Sequence, residues 1–225
     1  MKKILDIIVP ENSSDRTMAS RRNNSGQYRK IYPGIYTDNL ADPIETVSRR
    51  NWISLVGILC PDQVVSYRSA LAGGLGKENV LFVAGKRYRT INLPGFFVQV
   101  VPGMGPLEGD MPLGDSLFMA SRGRALLESL LPSSTGTIGV RKGLSLEEVS
   151  DILGRILYSG GSKELNRIRD QAKSLVHVLL AEKEFAVLDS LCGAFFGTRV
   201  FDSPPKAVRN SRFAAMATDS RRGQR

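Results

Sequence analysis

The sequence carries one histidine, His177, and two cysteines, Cys60 and Cys192. Nucleophilic or metal chemistry needs such residues in groups, as a Cys–His pair or as three or four ligands at short spacing. Each cysteine instead sits inside an apolar run, where a buried thiol is expected rather than a disulfide or a metal ligand. His177 falls on the segment 163–180, opposite the stripe Leu165, Ile168, Ala172, Leu175, Val176 and Leu179, so it is expected to face solvent. The paired carboxylates Glu147–Glu148 and Glu182–Glu184 lie on helical segments and read as solvated faces. "GGLGKE" at 73–78 departs from a phosphate loop, with Leu71 where glycine is needed and Glu78 where serine or threonine is needed. "PGMGPLEGD" at 102–110 lacks the GxGxxG spacing and holds two prolines, which marks a structural loop. These readings leave no catalytic set, no cofactor, no metal and no small-molecule substrate, and the chain reads as a non-enzyme.

The basic residues point elsewhere. Arg16, Arg21, Arg22, Arg29 and Lys30 cluster near the start among Tyr28, Tyr32 and Tyr36. Lys86, Arg87 and Arg89 surround Tyr88 to form a second patch, and Arg141 and Lys142 form a third. Cations interleaved with tyrosines suit a surface that follows phosphates, whereas the bland alternative is solvated loop charge. A formal net charge of +9 favours a polyanionic partner, with operator DNA first among the candidates.

The elements that would carry these residues follow from periodicity and turn chemistry. "MKKILDIIVPE" reads as a strand or a short helix, since Asp6 and Pro10 interrupt any secretory core. A short helix fits around Asp15 to Arg22, followed by a basic hairpin from Tyr28 to Thr37 turning at Pro33–Gly34. That ribbon is either the wing of a DNA-binding module or an edge ribbon kept soluble by its charges. "DPIE" at 42–45 predicts one helix to about Cys60, with Asp42 as cap, Pro43 in the first turn and Glu45 reaching back. From Trp52 onward this helix is apolar almost all round, which suggests a buried centre.

Residues 64–120 alternate as short strands and turns: "VVS", the helix "YRSALAGG", the strand "NVLFVAG", the basic connection "GKRYRT", then the strands "FFVQVV" and "SLFMAS". Ser121 caps a helix ending at Pro132, and Ser145 with Glu148 forms a capping box. The fold class is α+β: a small, basic, winged-helix-like hairpin module over 1–40, a mixed sheet with helices over 41–132, a helical region over 145–198 and a basic tail over 199–225, expected to be largely disordered. With 42% hydrophobic and 24% charged residues, and "WISLVGILC" as the longest apolar run, a cytoplasmic globular protein without a membrane partner is expected.

The run "IYPGIYTDNLADPIETVSRRNWISLVGILCPDQVVSYRSALAGG" and the segments "LFVAGKRYRTINLPGFFVQVV" and "LNRIRDQAKSLVHVLLAEKEFAVLDSLCGAFFGTR" resemble the N-terminal accessory region of bacterial Fic/DOC proteins over most of residues 31–199. The HPFxDGNGR motif of Fic catalysis does not occur in the sequence, so the resemblance implies no AMP transfer. "PGIYT", "VVSYRSALAGG" and "LFMASRGRALLESL" also look like the abortive-infection, AbiEi-like antitoxins. That second resemblance implies a winged-helix module that represses its own promoter and a domain that neutralises a toxin-like partner. A Fic-associated interaction module without DNA binding is the competing expectation.

Overall fold

The computed structural model describes residues 1–132 and 139–197, and its architecture is α+β. The chain opens with a tight hairpin of β1 (Lys2–Ile4) and β2 (Ile7–Val9), then α1 (Ser13–Asn24), β3 (Arg29–Tyr32) and β4 (Ile35–Thr37). These strands make one antiparallel sheet in the order β1-β2-β4-β3. Asn12 starts α1 by accepting a hydrogen bond from the Asp15 amide at 2.8 Å. The β3–β4 turn uses Pro33 and Gly34, whose φ of +80° is the left-handed value that the third position of this turn demands.

Two short helices follow, α2 (Ile44–Arg50) and α3 (Trp52–Leu59), where the sequence suggests one. The break is at Asn51, a buried residue whose side-chain amide donates to the Val47 carbonyl at 2.8 Å and so competes with the helix ladder. Asp42 does not cap either helix. Its carboxylate accepts instead from Asn39 Nδ2 at 3.0 Å and from Arg50 at 3.1 Å, and α2 begins after Pro43 with no side-chain cap. Within α3 Leu55, Val56 and Gly57 are buried and the other residues are half-buried, with Trp52, Ile58 and Leu59 packed on the main core, so no residue of the helix is exposed.

The main sheet is mixed and six-stranded. It comprises β5 (Gln63–Val65), followed by α4 (Tyr67–Leu71), then β6 (Val80–Gly85), β7 (Arg89–Leu93), β8 (Phe96–Pro102), β9 (Met111–Pro112) and β10 (Leu117–Met119). Their order is β7-β8-β6-β5-β10-β9, with parallel pairs β6–β8 and β5–β10. β7 begins at Arg89, in the last two residues of the stretch read as a basic connection, and runs on to Leu93. Its Ile91 and Leu93 alternate inward with exposed Thr90 and Asn92, as an edge strand should.

One face of this sheet packs Leu81, Val83, Val98 and Val100 against Val47, Leu55 and Val56, and the same core takes Ile7, Ile31 and Ile35 from the small sheet. The other face meets α4 and α5 (Arg122–Leu130) through Val64, Tyr67, Phe82 and Ala125. Ser121 caps α5 as its sequence suggests. α6 (Leu146–Leu179) begins with the Ser145–Glu148 capping box and is interrupted at Gly161, whose φ of 68° and ψ of −176° divide it into two helical segments; α7 (Glu182–Gly197) follows. Gly123 lets α5 approach α6 closely, because a Cβ there would lie 2.7 Å from the Ala172 nitrogen. Leu126, Leu153, Leu165, Ile168 and Leu188 form the resulting interhelical core. The tail over 199–225 and residues 133–138 lie outside the described residues.

Candidate nucleic-acid interface

Helix α1 lies across one face of the small sheet and is held there by very little. Ala19 is its only buried residue, packed with Ile8, Tyr28 and Tyr36. Arg22 adds one tether: it donates to the Tyr28 hydroxyl at 2.5 Å, with its guanidinium 5.3 Å from the centre of that ring. Asp15 is the helix's one acid. It pairs with the amino terminus at 2.6 Å, which holds its carboxyl below the usual range. The rest of α1 is exposed or half-buried and carries serine, threonine, asparagine and arginine, with Met18 as its one exposed apolar side chain.

The basic residues of this module divide into two groups. Arg16, Arg21 and Lys30 are exposed, and among the described residues none of the three has a carboxylate partner. Lys30 sits opposite Tyr36 in the β3–β4 ladder, so it projects from the same sheet face as α1. Arg22 and Arg29 are instead spent within the protein. Arg29 donates to the carbonyls of Asn39 and Asp42, tying the end of β3 to the linker before α2. Tyr28 is buried, and Tyr32 and Tyr36 are half-buried against the main core and the α1 cluster respectively.

The ribbon is therefore not a projecting wing. Its second face, through Ile31 and Ile35, packs into the main core, because β-branched residues there alternate inward as the pleat requires. The expectation that Tyr28, Arg29, Tyr32 and Tyr36 project together with Lys30 is corrected on this point: burial and internal hydrogen bonds turn them inward.

In the second patch Lys86 and Arg87 are exposed without an ion-pair partner among the described residues. Arg89 donates to the Leu59 carbonyl at 2.6 Å and to Cys60 Sγ at 3.3 Å, placing a cation at the C-terminus of α3, where the helix dipole favours one. Lys142 is half-buried with its ammonium 4.9 Å from the Tyr67 ring centre, and burial pushes its pKa down.

Among the described residues, His177 and the two cysteines lie apart from one another, His177 in α6, Cys60 at the end of α3 and Cys192 in α7. His177 is exposed, 3.7 Å from Glu182. Both cysteines are free and buried, and burial pushes the thiols up, Cys192 to about 11, so neither is a ready nucleophile. Among the described residues no three His, Cys, Asp or Glu side chains could jointly hold a metal ion, and no helix is long and apolar enough to cross a membrane. "GGLGKE" leads into β6 and helps to line an open cleft of about 400 Å³ between α4 and α6, where Arg68 is already bridged to Glu78 and Glu148.

Sequence reasoning passed over Arg124, which is fully buried. Its guanidinium donates to Glu128 at 3.0 Å, to Asp110, and to the carbonyls of Met104 and Gly105 at 2.7 and 2.9 Å. Glu128 also accepts from the Ser66 hydroxyl, and burial, opposed by Arg124, raises its pKa. This network explains the glycine-rich loop at 102–110: the loop wraps a buried cation whose donors need its carbonyls. The only trace of it in the sequence is the i,i+4 spacing of Arg124 and Glu128 around the apolar run Ala125, Leu126 and Leu127. Compared with known protein families, curated proteins and solved structures, the chain matches none.

Proposed function

We propose that this chain is a DNA-binding regulator of the antitoxin kind, whose small N-terminal module holds α1 against duplex DNA while the larger sheet-and-helix body engages a toxin-like partner protein in the cytoplasm. The observation that carries the DNA half is α1 itself. Twelve residues form a helix with one buried side chain, two exposed arginines and no free carboxylate. A helix polar nearly all round gains little from burial, so folding alone does not account for its outward residues. Arg16, Arg21 and Lys30 share the α1 side of the module and supply the positive charge that phosphates need. The partner half draws on the antitoxin resemblance and on the open β7 edge, beside which Tyr88 and Phe97 are exposed. The reading includes no catalytic step and no cofactor.

Titration of the purified chain with a fluorescent duplex over a range of salt concentrations tests it. The log–log slope is expected near −0.9 for each phosphate contacted, so about −3 if Arg16, Arg21 and Lys30 each meet one. No binding at low salt, or binding indifferent to salt, would favour a second reading. That reading is a Fic-associated or other protein-interaction module without DNA binding, and the inward-packed ribbon and the internal bonds of Arg29 favour it.

A further inference from the structure

We infer that Ser14, Thr17, Arg21 and Asn24 form a base-reading stripe that enters the major groove of duplex DNA, with Arg16 and Lys30 on the phosphates at its side. This rests on the DNA-binding reading above and goes on to name which residues carry sequence preference.

Steps of three, four and three residues put these four side chains on one face of α1, away from the buried Ala19. All four are exposed. Arg22, the other arginine of the last turn, is half-buried and bound to Tyr28, so of the two only Arg21 is free to reach out. Thr17 turns its hydroxyl back to the Ser13 carbonyl at 3.1 Å, which leaves its methyl group as the outward surface. Asn24 has no side-chain hydrogen-bond partner among the described residues, so both its amide donor and its acceptor are available.

The chemistry of the stripe matches base edges. A guanidinium pairs bidentately with guanine O6 and N7, a carboxamide with adenine N6 and N7, and a threonine methyl packs on the thymine methyl. A helix of ~10–12 Å diameter fills a major groove of ~12 Å width, provided that it stands clear of its own fold. Ala19 is the only buried side chain of α1 and Arg22 and Asp15 tether it on the same side, so the opposite face is left open to solvent. Asp15, which would repel phosphates from the outer face, is on the inner side and already paired with the amino terminus. Ser14 to Asn24 spans roughly 15 Å of helix, so the readable core is short, about four base pairs, with guanine and adenine at neighbouring positions under Arg21 and Asn24.

The test is a selection of preferred duplexes from a random library by the full chain. Affinities for the selected duplex and for a scrambled one are then measured for the wild type, Arg21→Ala, Arg21→Lys, Asn24→Ala and the double variant Arg16→Ala/Lys30→Ala. Arg21→Ala and Asn24→Ala are expected to reduce the selected-to-scrambled ratio by about 5- to 150-fold each. Arg21→Lys should keep affinity for scrambled DNA yet lose the preference, because an ammonium lacks the bidentate fork. The double variant should weaken both duplexes alike. If the wild type binds salt-sensitively and selects a sequence, but the Arg21 and Asn24 variants keep the full preference, the stripe is overturned while the DNA-binding reading stands. If the wild type binds no duplex, both fall.

Discussion

Helices α1 and α5 treat arginine in opposite ways. In α5, seven of nine residues are buried and Arg124 is enclosed by two carboxylates and two backbone carbonyls. In α1, one residue of twelve is buried and Arg21 touches no carboxylate among the described residues. A guanidinium taken out of water is tolerated only with its donors satisfied, so Arg124 organises the loop around it. A guanidinium left in water costs the fold nothing and is free for a partner. The difference teaches that arginine's role here follows from the company its helix keeps, which the residue type alone does not reveal.

The contrast breaks first at Arg124. Arg124→Met leaves Asp110 and Glu128 buried without their cation and is expected to cost about 3–5 kcal/mol in urea denaturation. A loss under about 1 kcal/mol would mean the network is incidental. Without Arg124 the carboxyl of Glu128 should rise further. A raised folded-state pKa gives stability that is present below the ordinary carboxylate value and lost as pH rises through the raised one. The deficit of the variant should therefore be smaller at mildly acid pH than at neutral pH.

Ser66→Ala removes one donor to the buried Glu128 and should cost about 2 kcal/mol in the same measurement. On the other side of the comparison, Asn12→Ala removes the cap of a helix with almost no burial to hold it, a loss of about 1 kcal/mol. Because α1 has so few tertiary contacts, the effect should be local: amide exchange should quicken across residues 13–24 and stay slow in β6 and β8. Global quickening would show that α1 is built into the core after all. Smallest of all, Arg21→Ala should move the unfolding free energy by no more than about 0.5 kcal/mol.

Much of the scaffold was legible because local chemistry agreed with the tertiary outcome. Pro33–Gly34, the Ser121 cap, the Ser145–Glu148 box and the apolar runs of β6 and β8 each specify one conformation with little competition. The misses share a cause, which is that a tertiary partner overrode the local pattern. Asp42 was recruited by Arg50 and Asn39 rather than by the start of α2, and Asn51 turned its amide onto Val47. β7 hid behind Arg89 because its apolar alternation is confined to Ile91 and Leu93. At the candidate interface the sequence identified Arg16, Arg21 and Lys30 together with Arg22, Tyr28, Arg29, Tyr32 and Tyr36, and nothing in residue type separates the outward set from the inward one. Thr17 and Asn24 were passed over because neither carries charge; only the burial of Ala19 on the opposite face brings them forward.

The most direct measurement compares wild type with Arg16→Ala/Arg21→Ala/Lys30→Ala in binding to duplex DNA at low salt, with thermal unfolding of both proteins recorded alongside. The account predicts that the triple variant loses DNA binding while its unfolding midpoint stays within a few degrees of wild type. Undiminished binding by the triple variant, or a wild type that binds no duplex, would contradict it.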